Sequence, residues 1–343
     1  MTNPLRNTGK TIKIFSCDLN WTRTGERGEH IAPASAQDYA FIDPQAYFDW
    51  HMGMGNTDFW FQAYNFSGFA YYATKLGPVA PGPGQELLPR LYELCRSASV
   101  PFWGYMCVGT DLSVGNIHAD WLVPGSRSPG FPYGFLAHES PWQALINARV
   151  AEFLTAYPCE WMFLDWFAYG SLVPNGSPIE PSPYIAPHFE RILGRPMPDR
   201  STEITPDEQL HYKRTILAES FHRLRNTVRA ASPGTKLIFN VPFQHAAEEL
   251  WVDHPMLTES DGLFAECSKE DVVEWLLSIK RPDQRLMVTI HGRIEEGECD
   301  ITTGPKWMAR GCDIFANAFP EPPGFLPHSM YKKEIGALRE VFR

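Results

Sequence analysis

The 343-residue sequence lacks any run of about 18 apolar residues, the length a helix needs to cross a bilayer. Its opening stretch, MTNPLRNTGKTIKIF, has no apolar segment of signal-peptide type. Cysteine is sparse and unpatterned. Seven are scattered at positions 17, 95, 107, 159, 267, 299 and 312, an odd number, with no CxxC pair and no Cys/His group at zinc-ligand spacing. That argues against a disulfide framework and a structural zinc. Several sit inside apolar runs, where a thiol serves as a small hydrophobe. Together these absences predict a protein of the reducing cytoplasm, with no membrane association. No basic run offsets the formal net charge of −10, so a nucleic acid would be repelled rather than steered in. No GxGxxG and no GxxxxGK[ST] is present, which disfavours a nucleotide cofactor. No cofactor and no metal are expected, and a homo-oligomer is left open.

What the sequence does have is apolar residues in short runs. Hydrophobic residues make up 44%, enough for a large core, and aromatics 13% with 11 Trp, which offers rings for stacking on sugar faces as well as for packing. The runs fall at Thr11–Asn20, Asp58–Tyr64, Pro101–Val108, Glu160–Phe167, Lys236–Val241, Gly262–Glu266, Arg285–His291 and Cys312–Phe319. Longer amphipathic stretches separate them, with helix signals at Pro44–Met54, Glu86–Arg96, Pro141–Tyr157, Pro206–Ala231, Lys269–Ile279, Trp307–Arg310 and Met330–Phe342. Eight strands alternating with helices predict an α/β fold of the (β/α)8 TIM-barrel type, one catalytic barrel over residues 1–343. A doubly wound sheet is the alternative. The Pro-rich stretch Ser171–Thr205 is too long for an ordinary connection and is expected to cover the strand-four end as a wall of the site.

In such a barrel the chemistry lies at the C-terminal ends of the strands. The polar and aromatic residues there are Asp18, Asn20 and Trp21 after the first run, Tyr64 and Asn65 after the second, and Asp111 after the third. Asp165 and Trp166 follow the fourth, then Asn240, Glu266, His291 and Asn317 end the fifth to eighth. Asp165 closes the apolar run Trp161–Leu164, where an unpartnered carboxylate costs several kcal/mol to bury, and Glu266 closes Gly262–Ala265 in the same way. Two carboxylates facing each other across a barrel mouth are what glycosidic bond cleavage requires. They are the expected catalytic pair, with the remaining strand-end residues, Asp111 aside, as carbohydrate-binding candidates. Weaker candidates are His118 and Asp120. Trp60, between Phe59 and Phe61, is expected in the core, and Glu295, Glu296 and Glu298 read as a solvated acidic loop.

These residues carry a resemblance. The stretch Gly68-Phe69-Ala70-Tyr71-Tyr72-Ala73-Thr74-Lys75, the helix and strand over Leu87–Val108, His118-Ala119-Asp120-Trp121, and the strand Trp161-Met162-Phe163-Leu164-Asp165 resemble the hypothetical glycosyl hydrolase families related to the α-L-fucosidases of glycoside hydrolase family 29. The resemblance runs at pattern level over nearly the whole chain. It implies a glycosidase with Asp165 as nucleophile and Glu266 as general acid/base, acting with retention on a small glycoside or oligosaccharide. The departures bear on the sugar. Where fucosidases carry His-His-Asp-Gly-Phe, this sequence reads Asn65-Phe66-Ser67-Gly68-Phe69. Their first-strand His-Trp is replaced by Asp18-Leu19-Asn20-Trp21, and the Gly after the nucleophile is Trp166. No C-terminal β-sandwich is expected to follow the barrel. L-Fucose is therefore not the expected sugar. A non-catalytic carbohydrate-binding barrel and a metal-dependent sugar isomerase or hydrolase are the competing readings.

Overall fold

The computed structural model describes residues 10–127, 133–170, 178–240, 251, 253–292 and 299–343. The acidic loop of Glu295, Glu296 and Glu298 and the start of the Pro-rich stretch, 171–177, lie outside the described residues.

Eight strands form one parallel sheet. They are β1 (Lys13–Cys17), β4 (Phe59–Gln62), β5 (Phe102–Cys107), β6 (Trp161–Asp165), β7 (Lys236–Asn240), β8 (Gly262–Ala265), β9 (Arg285–His291) and β10 (Asp313–Ala318). The hydrogen-bonded order runs β1-β10-β9-β8-β7-β6-β5-β4, every pair parallel. Each strand coincides with one of the eight apolar runs, as continuous apolar stretches buried on both faces should. The sheet is a nearly closed (β/α)8 barrel. Its last seam, between β1 and β4, is made by loop residues. The Asn56 amide accepts from Phe15 N at 2.9 Å and donates to Phe15 O at 2.8 Å, while Thr57 N donates to Lys13 O at 2.9 Å.

Ten helices accompany these strands among the described residues: α1 (Pro44–Gly53), α2 (Leu87–Ala98), α3 (Leu112–Ile117), α4 (Trp142–Ala156), α5 (Ile185–Leu193), α6 (Pro206–Ala231), α7 (Pro255–Glu259), α8 (Glu270–Ile279), α9 (Gly304–Ala309) and α10 (Lys332–Phe342). The clearest sequence signal, α6, opens on a capping box in which Thr205 and Glu208 each satisfy the other's backbone N–H, with Pro206 at the first helical position.

The short helices α3 and α7 were not anticipated, nor were two larger features. A two-stranded antiparallel hairpin, β2 (Trp21–Thr24) and β3 (His30–Pro33), follows β1 on the C-terminal face. The Pro-rich stretch contains α5, whose Pro187 sits in the first turn, where a missing N–H costs nothing. The described part of that stretch packs on α6, with Phe189 5.8 Å from the Tyr212 ring, and Tyr184 Oη donates to Asp120 in the loop after β5.

Side chains alternate along each strand. Trp60, Trp103, Tyr105, Trp161, Phe163, Ile238, Phe264, Met287 and Phe315 fill the barrel interior, so Trp60 is core as expected. Trp103 stacks on Trp161 at 5.0 Å, and Phe163 meets Phe264 edge-on at 4.8 Å. The period of two then fixes what comes next. Two residues beyond Phe163, Ile238 and Phe264 stand Asp165, Asn240 and Glu266, above the aromatic plug.

Candidate active site

The strand ends bring Asp165 and Glu266 together through a shared amide. Asn240 Nδ2 donates to Asp165 Oδ1 at 2.8 Å and to Glu266 Oε2 at 2.9 Å. Two oxygens held by one nitrogen at these distances lie within about 6 Å of each other. Carboxyl pairs this close at a barrel mouth are the arrangement that glycosidic bond cleavage uses, with roughly 5–5.5 Å between carboxyls in retaining enzymes and roughly 6.5–9.5 Å in inverting ones. Asp165 Oδ1 also accepts from Trp166 N at 2.7 Å, and Oδ2 accepts from Tyr105 Oη at 2.5 Å. Tyr105 Oη in turn accepts from Asn20 Nδ2 at 3.2 Å, and Asn20 Oδ1 takes the Phe66 N–H at 2.8 Å.

Asp18 is the third acid of the mouth. Its Oδ1 accepts from Asn20 N at 3.0 Å and Gln62 Nε2 at 2.9 Å. Among the described residues, every hydrogen-bond donor to Asp18 and Asp165 is neutral, so none of them offsets burial with a positive charge. Burial raises Asp165 to about 6, with the charge of Glu266 adding to it. Burial also raises Asp18 to about 7, opposed by the Asn20 N–H and reinforced by Asp165 and Glu266.

Trp166 takes a left-handed backbone, φ 57, which costs a non-glycine residue about 1–3 kcal/mol. This turn is where the resembling families place glycine. It brings the Trp166 carbonyl so close to Gly109 that a Cβ there would sit 1.8 Å from the oxygen. The half-buried Trp166 ring contacts the buried Phe66 at 5.2 Å, Phe66 contacts Trp21 at 4.8 Å, and Tyr133 touches Phe66 at 5.1 Å and Trp21 at 6.0 Å.

The other candidates are placed differently. Tyr64 lies under Arg149, whose guanidinium is 4.3 Å from the ring centre, and donates to Thr74, contacts of the layer between barrel and helices. Asn65 closes a turn, its Oδ1 accepting from Phe69 N at 3.0 Å. Asp111 caps α3 and forms a buried ion pair with Arg149 at 2.6 Å. His291 Nδ1 donates to Asn317 O at 2.8 Å, its buried Nε2 has no hydrogen bond among the described residues, and the Asn317 amide lies against Gly292. His118 stacks on Trp121 at 3.9 Å. Among the described residues, none of Asp165's hydrogen bonds comes from the Pro-rich stretch, and no cluster of three or more His, Cys, Asp or Glu side chains is arranged to hold a metal ion. Also among these residues, no helix is long and apolar enough to cross a membrane.

Sequence reasoning missed Tyr105 and Gln62 as members of this network. The available signal was a hydrogen-bonding side chain at an inward position of an otherwise apolar strand.

No protein-family model matches the chain, and no curated protein matches its sequence. Solved structures do share its fold. α-L-Fucosidase isoenzyme 2 from Paenibacillus thiaminolyticus aligns at 14% identity and a TM-score of 0.67, over 96% of this chain and 49% of that one. The α-L-fucosidase AlfC from Lactobacillus casei, in complex with its α-L-fucose product, aligns at 11% identity and a TM-score of 0.50, over 90% and 81% of the two chains. The chain spans about half the length of the Paenibacillus enzyme. At these identities the likeness is one of fold, the (β/α)8 barrel that α-L-fucosidases also use.

Proposed function

We propose that this barrel hydrolyses a glycosidic bond with retention, Asp165 acting as nucleophile and Glu266 as general acid/base. The observation that supports the reading is the single Asn240 amide hydrogen-bonded to both carboxylates, which holds them side by side as a double displacement requires. Asp165 attacks the anomeric carbon as the bond to the leaving oxygen breaks, and Glu266 gives that oxygen its proton. Glu266 then takes a proton from water, the water oxygen attacks the glycosyl ester, and Asp165 leaves as a carboxylate. Tyr105, Trp166 N and Asn240 orient the nucleophile and favour its charged form. Fold relatives that act on a glycoside support the reading without fixing the sugar.

A panel of aryl glycosides, with early-time NMR of the product anomer, tests it. Asp165→Ala should abolish turnover. Glu266→Ala should lose about 10²–10⁴-fold on poor leaving groups yet hydrolyse activated aryl glycosides slowly, because those need little protonation. An inverted first product, or an active Asp165→Ala enzyme, would overturn the assignment.

A further inference from the structure

A groove of about 710 Å³ opens beside the site, with Pro33, Ala36, Phe69, Leu112 and Tyr133 among its walls. Its walls come from the loops that follow β1, β4 and β5, so it lies on the face that carries the carboxylates. Every side chain lining it is uncharged. The nearest buried acid, Asp111, is neutralised by Arg149. Its Tyr133 wall also belongs to the ring cluster that begins beside the nucleophile. Trp166 follows Asp165, contacts Phe66, and Phe66 contacts Tyr133. A contiguous row of packed rings, Trp166, Phe66 and Tyr133, thus links the residue after Asp165 to the wall of the groove.

We propose that this groove is the leaving-group subsite of the enzyme and selects glycosides whose aglycone is an uncharged alkyl or aryl group. The proposal rests on the glycosidase reading above. A bound aglycone displaces water from Phe69, Leu112 and Tyr133; the groove also carries the polar side chains Ser35, Gln37 and Ser67, but none is charged and the Ser67 hydroxyl is already committed to the Ala34 carbonyl, so an uncharged apolar group gains most from the walls. Because Leu112 and Ala36 touch none of the carboxylates, altering them separates aglycone binding from chemistry.

The test uses methyl, butyl and octyl glycosides of the sugar preferred in the panel, whose leaving alcohols differ little in acidity. Each methylene buried should raise kcat/KM by about fourfold until the groove is filled. Leu112→Asp places an acid in the first turn of a helix, where it is tolerated. Together with Ala36→Glu as a second variant, it should flatten the chain-length series and leave the methyl glycoside unchanged. A wild-type series that is already flat, a series that stays steep in both variants, or a preference for an oligosaccharide leaving group would overturn the proposal. So would a change of oligomeric state in the variants, which would make the groove a contact between chains. If no glycoside is hydrolysed, the glycosidase reading falls. The groove is then read directly from tryptophan fluorescence, titrating octyl against methyl β-D-glucoside. Saturable octyl-dependent binding lost in Leu112→Asp supports an apolar ligand site, and its absence overturns it.

Discussion

Asp18 holds its proton to about pH 7, where an ordinary aspartate has lost it by about pH 4, and the reason is burial beside two further carboxylates. The folded state therefore binds this proton more tightly than the unfolded chain. Stability from the group is complete below about pH 4 and is lost as pH rises through about 7. Asp165, raised to about 6, acts in the same direction. An Asp18→Asn variant keeps an oxygen for the Asn20 and Gln62 donors and carries no charge to desolvate. It should unfold at higher urea concentration than the parent at pH 8, by about 1–3 kcal/mol, with little difference at pH 4. Identical pH dependence in parent and variant would show that Asp18 ionises freely. That Asp165 and Glu266 meet at one end of the barrel was legible because each closes an apolar strand run, and parallel strands put such ends on one face. Tyr105 was not, because a tyrosine in an aromatic strand reads equally well as packing, and only the partner strand's register puts its hydroxyl on Asp165.

At the scale of elements, the eight strands were legible for a simple reason. A strand buried on both faces is a continuous apolar run, and the helices between them carry caps and amphipathic spacing. The closure of the barrel was not legible, since β1 and β4 meet through Asn56, a loop residue whose amide imitates a strand neighbour. Replacing it with Ala leaves the Phe15 N–H and C=O buried without partners, at about 1–3 kcal/mol for each group stranded. Asn56→Ala should destabilise the fold by about 2–4 kcal/mol in chemical denaturation, while Asn56→Asp, which keeps only the acceptor, should fall between. A loss below about 0.5 kcal/mol would mean that water or a shifted backbone closes the seam. The β2–β3 hairpin and α5 also escaped the sequence reading. The strands of the hairpin are four residues each, too short to show an alternation, and α5 carries a clear amphipathic period, with Ile185 and Phe189 on its buried face, that the surrounding prolines masked.

For the molecule as a whole, the barrel is shared with α-L-fucosidases but the sugar is decided by side chains at its mouth. The paired histidines of the resembling families correspond here to Asn65 and Phe66. The Asn65 Oδ1 is committed to the Phe69 N–H in its own turn. Phe66 is fully buried between Trp21 and Trp166. Neither supplies an imidazole to a sugar hydroxyl, and a binding site that loses such partners can discriminate by about 10⁴-fold. The first strand leads into Asp18-Leu19-Asn20-Trp21 where the resembling families carry His-Trp, and the mouth here gathers the acids Asp18, Asp165 and Glu266 with the amides of Gln62 and Asn240. The expected outcome is that aryl α-L-fucoside is hydrolysed at least about 100-fold less efficiently than the best glycoside of the panel, with the deficit in kcat/KM. A His-for-Phe66 exchange should not restore it, because position 66 faces the aromatic cluster and not the carboxylates. An α-L-fucoside turned over as well as the best substrate would instead place fucose recognition on Asp18, Asn240 and the ring of Trp166, and would make the histidines dispensable to this barrel.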